Sequence, residues 1–171
     1  MSYITIKNLN KINAELTNYC NAACPMCARY SIDGVLNKEL VNTMHTSLAL
    51  IKEKIGTDIV KRLQYFTSCG NLGDGAMNPE CLEIYKWLRQ TNPDLQLTLH
   101  TNGGARTPEF WREMASLDVA VNFAIDGLED TNHLYRRNVK WTKLIENVNA
   151  FLNAGGRATW SMLIFKHNED Q

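Results

Sequence analysis

The 171-residue chain has no net charge, because 18 lysines and arginines balance 18 aspartates and glutamates. That balance leaves no electrostatic footprint for nucleic acid or an anionic membrane. No apolar run approaches the length that spans a bilayer. Residues Met1 to Lys7 lack the apolar centre of a secretory signal. The expected compartment is therefore the cytoplasm, with no membrane partner; nucleic acid is not the expected partner, although the charge balance does not exclude an RNA or peptide substrate held by local contacts. Internal repeats and low-complexity tracts are also missing, so repeat arrays are not expected. The length suits one core, and residues 1–171 are expected to form one domain.

The five cysteines are too few and too unevenly placed for a disulfide framework. Three of them, Cys20, Cys24 and Cys27, crowd one short segment running from Glu15 to Arg29 in the spacing C-x3-C-x2-C. Clustering of this kind fits a reducing compartment and metal binding. Three thiolates can hold three irons of a 4Fe–4S cube and leave the fourth iron open to a ligand. A structural zinc site is the other reading, and would draw a fourth ligand from Cys69, Cys81 or a histidine. Cys81 lies within a predicted helix and reads as a small core residue.

Along the chain, strand and helix signals alternate. Strands are predicted at Ile12–Thr17, Leu63–Thr67, Leu95–His100, Val119–Ile125 and Ala158–Phe165. Helical spacing covers Asn37 to Ile55, with Leu40, Met44, Leu48, Ile51 and Ile55 on one face and Gly56 at the end. Asn78-Pro79-Glu80 and Thr107-Pro108-Glu109 combine a capping residue, a proline and an early acid, which starts helices. The first would run to about Gln90 and bury Leu82, Tyr85 and Leu88. A last helix, Trp141 to Asn153, would bury Leu144, Ile145, Val148, Phe151 and Leu152. Alternating units of this kind predict an α/β fold with a parallel sheet. Chemistry in such sheets collects at the C-terminal strand ends, and each unusual motif here directly follows a predicted strand.

Those motifs are the cysteine loop, Gly70 to Gly75 with Gly73-Asp74, Thr101-Asn102-Gly103, Ala124-Ile125-Asp126-Gly127 with His133 and Arg136 downstream, and Phe165-Lys166-His167-Asn168. Together they resemble the radical S-adenosylmethionine (SAM) superfamily from about Ile12 to Gln171. The resemblance implies a partial (β/α)6 TIM-like barrel with parallel strands. It implies that Cys20, Cys24 and Cys27 ligate a 4Fe–4S cluster, and that SAM binds at its open iron. The turn Gly70 to Gly75 resembles the family's Gly-Gly-Glu segment, which holds the methionyl ammonium; here the acid is Asp74, one methylene shorter. Asn102, Asp126, Arg136 and Asn168 are the further SAM-contact candidates, Arg136 as partner of the SAM carboxylate. The neighbourhood of Met26 would cradle adenine. Ala124 replaces the family's usual serine.

The implied activity is reductive cleavage of SAM to a 5′-deoxyadenosyl radical that abstracts a hydrogen from a peptide or small metabolite. An external electron donor of flavodoxin or ferredoxin type would supply the electron. The alternative is a non-catalytic iron–sulfur or zinc-binding fragment of the same fold. Six strand-helix units need roughly 180 residues, and only five strands are predicted. The barrel is therefore expected to be truncated after strand five, leaving an edge that a partner or second copy would cover.

Overall fold

A computed structural model describes residues 5–171. Five parallel strands form one sheet in the order β1-β2-β3-β4-β5. They are β1 (Lys11–Ala14), β2 (Tyr65–Ser68), β3 (Gln96–Thr101), β4 (Val119–Ala124) and β5 (Ala158–Ser161). The helices are α1 (Leu48–Lys54), α2 (Gly56–Val60), α3 (Cys81–Thr91), α4 (Pro108–Ser116), α5 (Asn132–Tyr135) and α6 (Trp141–Asn153). The α/β architecture and the count of five strands agree with expectation.

Strand alternation shows which face the helices cover. Phe66 and Ser68 of β2, Leu97, Leu99 and Thr101 of β3, and Val119, Val121 and Phe123 of β4 are all buried. Their neighbours Thr67, Thr98, His100, Asn122 and Ala124 are more exposed. A sheet of parallel strands that is covered on both faces is apolar throughout. Here the second face is polar and open, as the interior of a partial barrel would be. On the covered face, Trp111 of α4 meets Phe123 of β4 and Phe151 of α6 at centroid distances of 5.3 and 6.5 Å. Phe66 and Tyr85 pack edge to face at 6.1 Å beneath α3.

Four features differ from the periodicity. The helix expected from Asn37 begins only at Leu48, where the Ser47 side chain accepts from Leu50 N. The preceding segment is held elsewhere: Asn18 N and Thr17 Oγ1 both donate to Met44 O, and Thr17 pairs with His45 in an antiparallel bridge. Met44 therefore serves the cysteine loop rather than a helix face. In α3 the buried stripe is Cys81, Ile84, Tyr85 and Leu88, with Leu82 only partly covered. In α6, Leu152 is exposed, and Asn147 and Ala150 are buried in its place. Strand β5 is shorter than predicted, lies at the sheet edge and is exposed at all four positions.

Buried asparagines bind the strand-end loops to this frame. Asn78 Nδ2 donates to Leu16 O and Thr46 O at 2.6 and 2.8 Å. Asn147 of α6 donates to Gly103 O and Ala105 O at 2.8 and 2.9 Å. Each ties carbonyls of two loop positions to the frame, adding to the bonds that Leu16 O and Ala105 O accept from Thr46 N and Trp111 Nε1.

Candidate functional site

The cysteine loop leaves the sheet at Ala14 and crosses the C-terminal strand ends. A cavity of about 370 Å³ opens there, lined among others by Cys20, Cys24, Cys27, Arg29, Asn102 and Arg136. That volume lies within the ordinary range of small-molecule sites. The loop has little secondary structure of its own, and neighbouring loops fix its path. Asp74 N donates to Tyr19 O at 2.9 Å, Ala23 N to Arg137 O at 3.0 Å, and Arg29 Nη2 to Asn18 O at 3.1 Å.

Gly73 makes the first of these contacts possible only by lacking a side chain. A Cβ there would collide with Thr17 O and stand 2.7 and 2.8 Å from Tyr19 O and N. The turn after β2 thus lies directly on the start of the cysteine loop. Its acid, Asp74, is 3% exposed. Oδ1 accepts from Ala76 N at 3.0 Å. Oδ2 accepts from Thr101 Oγ1, Asn102 N and Asn102 Nδ2 at 2.9, 2.9 and 2.8 Å. Burial raises its carboxyl above the usual range, against the pull of those hydrogen bonds. The side chain borders the cavity, but its acceptor capacity is taken up inside the protein.

Asn102 transmits this constraint to the thiols. Its Nδ2 also lies 2.9 Å from Asn21 Oδ1 and 3.6 Å from Cys20 Sγ. On the opposite side, Arg136 Nε donates to Asp126 Oδ2 at 2.5 Å, and Nη1 reaches Cys24 Sγ at 3.7 Å. Asp126 is fully buried. Its Oδ1 accepts from Leu163 N at 2.6 Å, and its carbonyl accepts from Asn168 Nδ2 at 2.8 Å.

The predicted site residues therefore separate into two groups. Cys20, Cys24, Cys27, Gly73, Asp74, Asn102 and Arg136 line one cavity. Met26, Asp126 and Asn168 are not among its lining residues. Met26 is 76% exposed, while Asp126 and Asn168 lock the post-β4 and post-β5 loops together behind Arg136. Several lining residues were not singled out in the sequence. Arg29 sits two positions past Cys27 with nothing local to mark it as buried, and His100 stands at a strand end where alternation alone reads as solvent exposure. Glu15, outside this lining, also escaped notice: its carboxylate accepts from Asn71 N, Asn71 Nδ2 and Leu72 N. An acid ending a strand opposite a glycine-rich turn was the available signal. Cys69 borders the cavity too, and its thiol is pushed up to about 11 by burial and by Glu15.

Burial, reinforced by Asp74, pushes the Cys20 thiol up to about 12. Burial also raises Cys24, against the opposing charge and hydrogen bond of Arg136. In the metal-free protein these groups are thiols at neutral pH, so metal loading must expel protons. Among the described residues, no three His, Cys, Asp or Glu side chains converge as they would on a single ion. The three thiols instead stand around one cavity, and a cube places each thiolate on a different iron. The donor set, the spacing and the cavity fit such a cluster.

Among the described residues, no helix is long and apolar enough to cross a membrane. No curated protein sequence matches the chain. Among solved structures, tagged anSMEcpe with bound AdoMet aligns at a TM-score of 0.67 and 15% identity, over 88% of this chain and 41% of that one. BtrN in complex with AdoMet and 2-DOIA aligns at 0.62 and 13%, over 90% of this chain and 56% of that one. TsrM from Kitasatospora setae, with cobalamin and a 4Fe–4S cluster bound, aligns at 0.61 and 12%, over 91% and 31%. The chain spans less than two thirds of each of these proteins, and at such identities the likeness is one of fold. The family model of the radical SAM superfamily matches residues 14–171. With that match over nearly the whole chain, the chain belongs to the radical SAM superfamily.

Proposed function

We propose that this chain is the core of a radical SAM enzyme, with Cys20, Cys24 and Cys27 holding a 4Fe–4S cluster and SAM seated in the adjoining cavity. The observation that carries this reading is the convergence of the three thiols on one cavity with Asn102 and Arg136. When bound and reduced by a flavodoxin- or ferredoxin-type donor, the pair supplies a 5′-deoxyadenosyl radical for hydrogen abstraction from a peptide or small metabolite.

The chain's own residues supply orientation and charge. Asn102 and Arg136 direct N–H groups at Cys20 and Cys24, which favours thiolate over thiol once protons leave. Gly73 lets the post-β2 turn approach closely and bare its backbone to the cavity. Arg136 is the candidate partner for the SAM carboxylate, held in place from behind by Asp126 and Asn168. Asp74 acts through Asn102 rather than by direct contact. The Met26 side chain is assigned no role; adenine would meet backbone groups of that loop. The polar inner strand face, with Thr98, His100 and Asn122, offers hydrogen bonds to a substrate.

The test is anaerobic reconstitution, iron counting, and detection of 5′-deoxyadenosine with a strong reductant. Cluster loading with SAM cleavage is expected, and Cys24→Ala should abolish both. An intact cluster with no SAM cleavage would leave the non-catalytic iron–sulfur reading, and bound zinc without iron would overturn both.

A further inference from the structure

Two guanidinium groups border the cavity, and they are not equivalent. Arg136 is neutralised by Asp126. Arg29 is 4% exposed and forms no ion pair among the described residues. Its Nη2 is anchored on Asn18 O at 3.1 Å, and the Tyr30 ring lies 5.7 Å from its guanidinium carbon. Its Nε and Nη1 are buried and have no hydrogen-bond partner. A buried cation with two orphan N–H groups is strongly disfavoured unless an acceptor stands beside it. Arg29 shares the cavity wall with the three cysteine sulfurs, its charge already bears on Cys20, and the Asp74 carboxylate on that wall is engaged by Ala76, Thr101 and Asn102.

We propose that Arg29 is a positioning and potential-setting residue for the iron–sulfur cluster. Its Nε–H and Nη1–H donate to thiolate or sulfide sulfur, and its charge stabilises the reduced state. The inference rests on the cluster reading above. Three thiolates give the loaded site net negative charge, which grows by one when an external one-electron donor reduces it. A fixed cation and hydrogen bonds to sulfur both favour the more negative state and raise the reduction potential. Arginine suits the role because it stays charged when buried and offers a rigid fork of donors.

The test is an EPR-monitored redox titration of the reconstituted protein without SAM, after iron counting. For Arg29→Gln with the parent's iron content, the midpoint should fall so that the reduced-to-oxidised ratio at fixed poise drops about tenfold, a shift of about 59 mV for one electron. Arg29→Lys keeps the charge but loses the fork, so its midpoint should lie between the two; it decides alone if Arg29→Gln does not load. Unchanged midpoints overturn the proposal. So does an unchanged midpoint with weakened SAM binding, which would make Arg29 a carboxylate partner instead. A parent protein that takes up no iron removes the cluster reading and this one together; iron uptake with an unmoved midpoint removes this one alone.

Discussion

Replacing Asp74 by alanine separates two roles for this acid. If it serves mainly to hold the SAM ammonium, the cofactor-free protein should not depend on it. The hydrogen bonds argue otherwise. Alanine would strand Ala76 N and Asn102 N, both bonded to Asp74 at 3.0 and 2.9 Å. Thr101 Oγ1 can rotate to another acceptor, and Asn102 Nδ2 keeps Asn21 Oδ1. Two stranded buried donors cost about 1–3 kcal/mol each. Water entering the vacated space recovers part of this, leaving about 3 kcal/mol. For a chain of this size that is a fall in Tm of roughly 6–12 °C. Asp74→Glu, which restores the family's usual acid, should also lose about 1–3 kcal/mol, because the extra methylene moves the carboxylate away from the donors that Ala76, Thr101 and Asn102 now aim at it. The assay is thermal unfolding of the cluster-free protein followed by circular dichroism. An Asp74→Ala Tm within about 2 °C of the parent would refute the organising role.

Other outcomes follow from neighbouring contacts. Gly73→Ala drives a Cβ into the Thr17 and Tyr19 backbone, and should cost about 2–3 kcal/mol and lower iron uptake, measured as iron per chain and Tm; normal loading with an unchanged Tm would contradict the close approach. With its thiol at about 12 instead of 9.0, Cys20 should hold on the order of a thousandfold less thiolate than an ordinary cysteine at neutral pH. Site-resolved alkylation of the metal-free protein should therefore be slow at Cys20 and quicken roughly tenfold per pH unit from about pH 7 to 10; labelling as fast as in a denatured control refutes the burial. Asp126→Ala leaves Arg136 unpaired in a site where the carboxylate is fully buried, and should cost about 3 kcal/mol by denaturant unfolding. A loss near zero would mean that the guanidinium finds solvent freely.

The β/α order and the rim on which the motifs gather were legible because period-two alternation and proline-led helix starts are local signals. Strands β3 and β4 begin within one residue of their predicted starts, and α6 matches its predicted bounds. The segment before Ser47 departs from its periodicity because its apolar residues repeat at helical spacing, while its backbone is claimed by Thr17 and Asn18, 26 to 28 positions away in sequence. Non-local pairing of that kind leaves no periodic trace. The part played by the asparagines was hidden for a related reason. In sequence Asn78 reads as a helix cap, Asn147 as an interior residue of the last helix and Asn168 as a SAM-contact candidate, yet each is at least 99% buried and gathers carbonyls from loops far along the chain. Asp74 was placed on the correct rim, but what its carboxylate faces depends on the turn after β3, which the sequence does not set beside it.

These long-range bonds bear on how the site can work. Each strand end sends one contact into the cysteine loop or its supports: Asp74 N to Tyr19 O after β2, Asn102 to Asn21 after β3, Arg136 to Cys24 beyond β4, and Asn168 to Asp126 O after β5. The thiols are therefore placed by the sheet, not by the loop that carries them. A loop free to collapse would lose ordering entropy each time it took up a cluster; a loop already held needs only to shed protons from its thiols. Preorganisation of this kind places the cost in folding and spares the loading step. Loosening a remote bond such as Asn168 to Asp126 should then weaken iron uptake without touching a ligand.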